Sequence, residues 1–175
     1  MKSWNSAKHP IFEADQMPYP IHWNPMEEDW KTRLTKSQIY NTASRLDAKT
    51  LDAMKKLRDK ILTFGGDEVC MTMFDEDASK ILERGQFFYG SSYMRKGQDC
   101  QCHYNSARLW YENKDRCFIA TGYALSEDGL WRCHSWVVQP MSRTVRVWET
   151  TEKRVAYFGV VLTDEECEEF VTNNT

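Results

Sequence analysis

A chain of 175 residues, 41% apolar and 13% aromatic with seven tryptophans, has enough apolar material for a core and is not the composition of a disordered protein. A formal net charge of −3, with Lys and Arg scattered among Asp and Glu, argues against nucleic acid as a partner. No apolar run approaches the roughly 20 residues that span a bilayer, and the N-terminal MKSWNSAKHPIFEADQ lacks the apolar stretch of a secretory signal.

These features predict one domain over residues 1–175, cytoplasmic and without membrane contact, with export by a dedicated secretion system left open. Cysteines stand at 70, 100, 102, 117, 133 and 167. Their even number permits a disulfide framework, but a chain this long and apolar does not need one, so the thiols are expected reduced and mostly buried.

Residues 1–34 are irregular. Pro10, Pro18, Pro20 and Pro25 interrupt any helical period, and Trp4, Phe12, Tyr19, Trp23 and Trp30 are interleaved with them, which suggests a segment laid across the protein body. Thr35 or Ser37 can cap a first helix running to about Leu46. Asp47 can cap a second, with Leu51, Met54, Leu57 and Ile61 as its apolar stripe and Gly65-Gly66 as its stop. Asp75 to Arg84 reads as a short third helix closed by Gly85. Together these form an irregular and helical part over 1–96. A helix from about Cys102 to Tyr111 follows. Four β-like runs come next: Phe118–Ser126, Leu130–Gln139, Thr144–Thr150 and Arg154–Leu162. Their short connections predict an antiparallel meander. Thr163-Asp-Glu-Glu166 is a capping box for a last helix ending near Phe170. The fold class is α+β: an N-terminal helical half, then one helix packed on a four-stranded antiparallel sheet over 97–175.

The chemistry concentrates in that second half. Strand alternation puts Arg132, His134, Trp136 and Val138 on one face, and Val145, Val147 and Glu149 share a face of the next strand. Adjacent antiparallel strands can bring His134 and Glu149 together, and the carboxylate would fix the imidazole tautomer and favour its protonated form. A thiol at the start of the helix near Cys102 would sit at the positive end of the helix dipole, which lowers a cysteine pKa. Nucleophile, base and orienting carboxylate would then be Cys102, His134 and Glu149. Taken singly, each has a plainer reading as a buried helix residue, a satisfied strand histidine or a solvated strand-end carboxylate.

The local motifs extend this. Cys102 with Ala107 and Leu109, then Ala120-Thr121-Gly122-Tyr123, then His134-Ser135-Trp136, then Trp148-Glu149-Thr150 stand in an order and at separations that resemble the transglutaminase-like core of the papain-like cysteine enzymes. The resemblance covers about residues 97–162. It implies a Cys-His-Asp/Glu triad and thiol-dependent acyl transfer on amides of a protein or peptide substrate, with no cofactor and no metal. Protease, glutamine deamidase and transglutaminase outcomes all occur in the family, and the resemblance does not choose among them. It also implies Gln98 as an oxyanion donor beside the Cys102 N–H. Tyr123, Trp136 and Trp148 would wall the substrate cleft, or equally be core aromatics. Glu149 stands where the family usually has Asp. Cys100 fits the spacing as well as Cys102, which is preferred because the helix-like run begins directly after it. His103 points about 100° away from Cys102 on a helix and reads as structural or substrate-facing.

Two other readings stand beside the enzyme. Cys100, Cys102, His103, Cys133 and His134 offer zinc-ligand chemistry, but Cys133 and His134 are neighbours on a strand and face opposite ways. The chain can also be a non-catalytic protein-binding module that keeps a transglutaminase-like core.

Overall fold

The computed structural model describes residues 4, 21–25, 27–34, 47–71, 77–142 and 144–175. Its helices are α1 (28–34), α2 (Ala48–Leu62), α3 (Ala78–Arg84), α4 (Cys102–Tyr111) and α5 (Asp164–Asn174). Its strands are β1 (Glu68–Cys70), β2 (Gln86–Tyr89), β3 (Tyr93–Met94), β4 (Phe118–Leu125), β5 (Leu130–Pro140), β6 (Val145–Glu149) and β7 (Ala156–Val161). The expected first helix from Thr35 or Ser37 to Leu46 and the expected start of the third at Asp75 lie outside the described residues. So do Phe12 and Tyr19. Of the described N-terminal aromatics, Trp4 packs edge-on against Phe118 at 5.7 Å and Trp23 packs on the core, while Trp30 is exposed.

Local chemistry sets the helix boundaries. Asp47 caps α2, its Oδ1 accepting from the Lys49 and Thr50 N–H groups at 3.0 Å each. Met54, Leu57 and Ile61 form the buried stripe. Gly65 and Gly66 follow with φ of 115° and 86°, a left-handed conformation that turns the chain back toward β1. The capping box predicted for α5 is present, with Glu166 N–H on Thr163 Oγ1 at 3.2 Å and Thr163 N–H on Glu166 Oε2 at 2.8 Å.

The class is α+β, but the sheet is larger than four strands and it is mixed. The order is β2-β7-β4-β5-β6-β3, with β1 also paired to β5, seven strands in all. The four expected strands are present as β4 to β7, yet only β4-β5-β6 run as a meander. β7 returns to the far edge of β4 and lies between β4 and β2. Two further pairings are parallel: β1 with β5 and β3 with β6. A short link between β6 and β7 fixes their antiparallel sense but not which sheet edge β7 joins.

The helices cover one face of this sheet. There Met54, Leu57 and Ile61 of α2, Ile81 of α3, Trp110 of α4 and Cys167 of α5 pack on Ile119, Tyr123, Trp131, Val137, Trp148 and Phe158. The opposite face carries a smaller cluster of Phe88, Phe118, Ala120, Ala124, Trp136, Val138, Tyr157 and Val161.

β4 and β7 approach so closely where Gly122 faces Gly159 that neither has room for a side chain. A Cβ on Gly159 would collide with the Thr121 carbonyl oxygen and lie 2.8 Å from Trp136 Cη2. Gly159→Ala is therefore expected to cost about 3 kcal/mol in urea unfolding, the upper end for overpacking, because backbone cannot give way as a flexible side chain can.

Candidate active site

One edge of β5 is fully paired to β4. The other edge is shared. β1 covers residues 130–132 and β6 covers 137–140, so the backbone between them, Cys133 to Trp136, has no strand partner on that side. The start of α4 docks into this gap. The Ser135 N–H, freed from any ladder, is near enough to the Cys102 sulfur to favour its thiolate, as is the His103 N–H. The gap also lets two faces of the sheet meet. α4 lies on the helical face, whereas His134, Trp136 and Glu149 belong to the other. The thiol reaches His134 around the open edge.

Cys102 and His134 lie close enough that each favours the other's charged form. The His134 Nε2 lies 2.9 Å and 3.1 Å from the two Glu149 carboxylate oxygens. With Nε2 engaged there, Nδ1 is the nitrogen left for the thiol. His134 is 2% exposed and Glu149 0%. Continuing the β5–β6 register from Val137↔Trp148 sets Glu149 opposite Trp136, so it meets His134 diagonally rather than directly.

Glu149 is held on every side. Its Oε1 accepts from the Thr150 N–H at 2.7 Å, the Thr151 N–H at 2.9 Å and Thr151 Oγ1 at 3.2 Å. Its Oε2 accepts from the Tyr157 hydroxyl at 3.0 Å. Burial, and then the neighbouring Glu149 charge, push Tyr157 far above its ordinary value, so it stays a donor. Trp136 and Tyr157 stack on the His134 ring, each with centroids 6.3 Å away.

The electrostatics follow from this wiring. Burial raises the Cys102 thiol, but the His134 hydrogen bond and charge, with the Ser135 and His103 N–H groups, more than reverse it and leave the thiol below its ordinary pKa. Burial lowers His134, and its bonds to Cys102 and Glu149 outweigh that, holding the imidazole above its ordinary value. Burial raises Glu149, and His134 with the Thr151 and Thr150 N–H groups bring it below. All three shifts favour a thiolate–imidazolium pair backed by a carboxylate.

The two thiols left open by the sequence are placed differently. Cys102 is half-buried at the head of α4 and coupled to His134. Cys100 is exposed in the preceding turn at φ 59°, without a hydrogen-bond partner among the described residues. His103 turns inward, its Nδ1 2.6 Å from Ser135 Oγ, which donates to Thr121 Oγ1 at 3.0 Å. Burial and the His134 charge hold the His103 imidazole below its ordinary pKa. Tyr123, Trp136 and Trp148 are 0%, 0% and 3% exposed, so none of them offers a surface to a substrate in this structure. Gln98 is exposed, its side chain unbonded among the described residues. Cys133 is exposed while His134 is buried, and among the described residues no three His, Cys, Asp or Glu are grouped to hold a metal. Nor is any described helix long and apolar enough to cross a membrane.

Sequence reasoning missed the groups that hold the site: the Ser135 N–H, Thr150, Thr151, Tyr157 and Asn105. The Thr-Thr directly after Glu149 was the one signal present, since small polar residues after a buried carboxylate supply it with donors. Asn105 has none. It lies 7% exposed in α4, its Oδ1 accepting from the Gln98 N–H at 3.0 Å and its Nδ2 donating to the Gln98 carbonyl at 2.7 Å. A Cβ on Gly97 would collide with that Oδ1. Asn105→Ala removes both bonds and is expected to lower stability by about 2 kcal/mol in urea unfolding. It should also change the rate at which Cys102 is alkylated, because the chain into Cys102 loses its anchor.

No protein-family model, curated protein or solved structure matches this chain.

Proposed function

We propose that this chain is a thiol-dependent acyl-transfer enzyme acting on amide bonds of a protein or peptide, with Cys102 as nucleophile, His134 as proton carrier and Glu149 as the group that orients and charges the ring. The observation that carries the reading is the half-buried Cys102 thiol at a helix start beside the buried, hydrogen-bonded His134–Glu149 pair, with the thiol lowered and the imidazole raised.

The Cys102 thiolate attacks the amide carbonyl carbon. A C–S bond forms and the carbonyl electron pair moves onto oxygen. The Cys102 N–H, at the start of α4, and the Gln98 side chain are the donors proposed for that oxyanion. As the tetrahedral intermediate collapses, the C–N bond breaks and His134 gives its proton to the departing nitrogen. Water or an amine then attacks the thioester, His134 takes its proton, and the C–S bond breaks to return the thiolate. Water as acceptor gives a protease or deamidase, and an amine gives a transglutaminase.

The chain carries its own control for a test. Iodoacetamide at pH 6.5, with sites mapped by mass spectrometry, should alkylate half-buried Cys102 ahead of exposed Cys100 and Cys133. Labelling in order of exposure, with Cys102 behind, would overturn the reading. Release of ammonia or amine from carboxamide peptides, lost in Cys102→Ala, would then identify the reaction.

A further inference from the structure

β3 is the end strand of the sheet, and it leads through residues 95–101 into Cys102. On its helical face, Tyr93 and Arg95 lie beside Arg146 and Trp148 of β6, and Arg116 reaches the same place from the turn after α4. Arg146 lies 6.0 Å from the Tyr93 ring centroid and Arg95 5.1 Å from it. Arg95 and Arg116 each lie 5.4 Å from the Trp148 ring. Two aromatic rings thus hold three guanidinium groups in one row.

None of the three arginines makes an ion pair among the described residues. Arg116 has only the neutral Asn113 Oδ1 as a polar partner, at 3.2 Å and 2.5 Å. Elsewhere the contrast is plain: Arg58, Arg84, Arg132 and Arg154 each hold a carboxylate, and the adjacent Lys96 is paired with Asp99. In a chain with more acidic than basic residues, the row thus gathers on one surface three arginines that make no ion pair among the described residues. A cation–π contact leaves guanidinium N–H groups able to receive carboxylates.

The outer edge of the strand beneath the row has no strand partner among the described residues. The Arg95 and Gly97 N–H groups turn inward to the Glu149 and Thr150 carbonyls at 2.7 Å and 2.8 Å. The alternate residues Met94 and Lys96 therefore turn their backbone groups outward to the unpaired edge. We propose that this edge and its arginine row dock an acidic, extended segment of a polypeptide, which pairs along β3, lays its carboxylates on Arg95, Arg116 and Arg146, and points toward Cys102. That the segment is the substrate rests on the acyl-transfer reading; that it binds does not. A polypeptide fits better than a nucleic acid. Trp148 is buried, and both rings already carry guanidinium groups, so little ring face is left on which bases could stack.

The test is fluorescence anisotropy on the full chain carrying Cys102→Ala, at low salt, with three labelled probes: a 12-residue Glu-rich peptide, the same peptide with Gln for Glu, and a 12-nucleotide single strand. The Glu peptide should bind at least tenfold more tightly than the Gln peptide. Adding Arg116→Glu and Arg146→Glu should abolish that preference. Both positions are exposed, and circular dichroism checks the fold. Arg116→Gln with Arg146→Gln should give an intermediate loss without introducing repulsion. Equal binding of the two peptides, no binding of either, or tighter binding of the oligonucleotide overturns the proposal. Alkylation of Cys102 in the unaltered protein is read separately. Fast alkylation without peptide binding sinks the dock alone, and peptide binding with a sluggish Cys102 sinks the acyl-transfer reading alone.

Discussion

His134→Ala is expected to slow alkylation of Cys102 at pH 6.5 by roughly 10- to 100-fold and to lower amide turnover by at least about a thousandfold. An ordinary cysteine with a pKa of about 8.5 is only about 1% thiolate at that pH. Cys102 is held below its ordinary value chiefly against burial by the His134 bond and charge. Without the imidazole, burial and the two N–H groups remain, and burial pushes the thiol back up. The ceiling is therefore near 100-fold, reduced because a low-pKa thiolate is a weaker nucleophile. The pH profile sharpens the test. In the parent, alkylation should fall as pH drops through the lowered thiol pKa, at a lower pH than in the variant. In the variant it should climb steeply from pH 6 to 8. Turnover suffers more than alkylation because the leaving nitrogen also loses its proton donor. An unchanged alkylation rate in a folded variant would remove His134 from the mechanism.

How much of this was legible depends on which interactions were local. The caps of α2 and α5 and the stripe Met54, Leu57, Ile61 are set by neighbours within a turn, and the sequence patterns locate them closely. β4 to β7 have the alternating or continuous apolar runs of half-buried and fully buried strands. β1, β2 and β3 span three, four and two residues, too short for any period, and exist because a distant strand has an edge to pair with. The same limit governs the site. Alternation puts His134 and Glu149 on one face, but their diagonal register depends on where the β5–β6 turn places the strands. Alternation also assigns Tyr123, Trp136 and Trp148 to faces without saying how deeply those faces lie. The stretch 133–136 without a strand partner, which admits the Cys102 sulfur, arises from β1 and β6 sharing one edge of β5, and no sequence window contains both. Likewise the charge pattern shows no basic patch, because Arg95, Arg116 and Arg146 meet only through the fold.

Glu149 tests whether the carboxylate orients the ring or merely fills space, and three substitutions separate the possibilities. Glu149→Gln should lower turnover by about 10²- to 10⁴-fold with little loss of fold. Its carbonyl oxygen can still accept from Thr150 and Thr151, but its amide would donate to His134 Nε2. The remaining ring proton would then sit on Nδ1, facing the thiol, where a base is needed. Glu149→Asp should fall between parent and Gln, because a diagonal cross-strand reach of about 7–8 Å is long for the shorter side chain. Glu149→Ala should cost about 3–5 kcal/mol in unfolding, since it leaves buried donors from Thr150, Thr151 and Tyr157 and a charged His134 without their acceptor. The pH dependence of stability carries the sign of the pair. Glu149 sits below its ordinary 4.5, so its contribution is present above that value and fades as pH falls through the lower folded pKa. His134 sits above its ordinary 6.5, so its contribution is complete below that value and fades as pH rises through the higher folded pKa. Both are complete between 4.5 and 6.5, so what the Glu149–His134 pair adds to the parent's stability should be largest in that window and smaller at pH 3 and pH 9. Urea unfolding of Glu149→Gln should show that gain reduced, because the Glu149 shift is gone and the His134 shift keeps only the part that Cys102 supplies. A Glu149→Gln profile parallel to the parent would mean that the Glu149 charge does not stabilise the His134 imidazolium, and the role assigned to it here would fall.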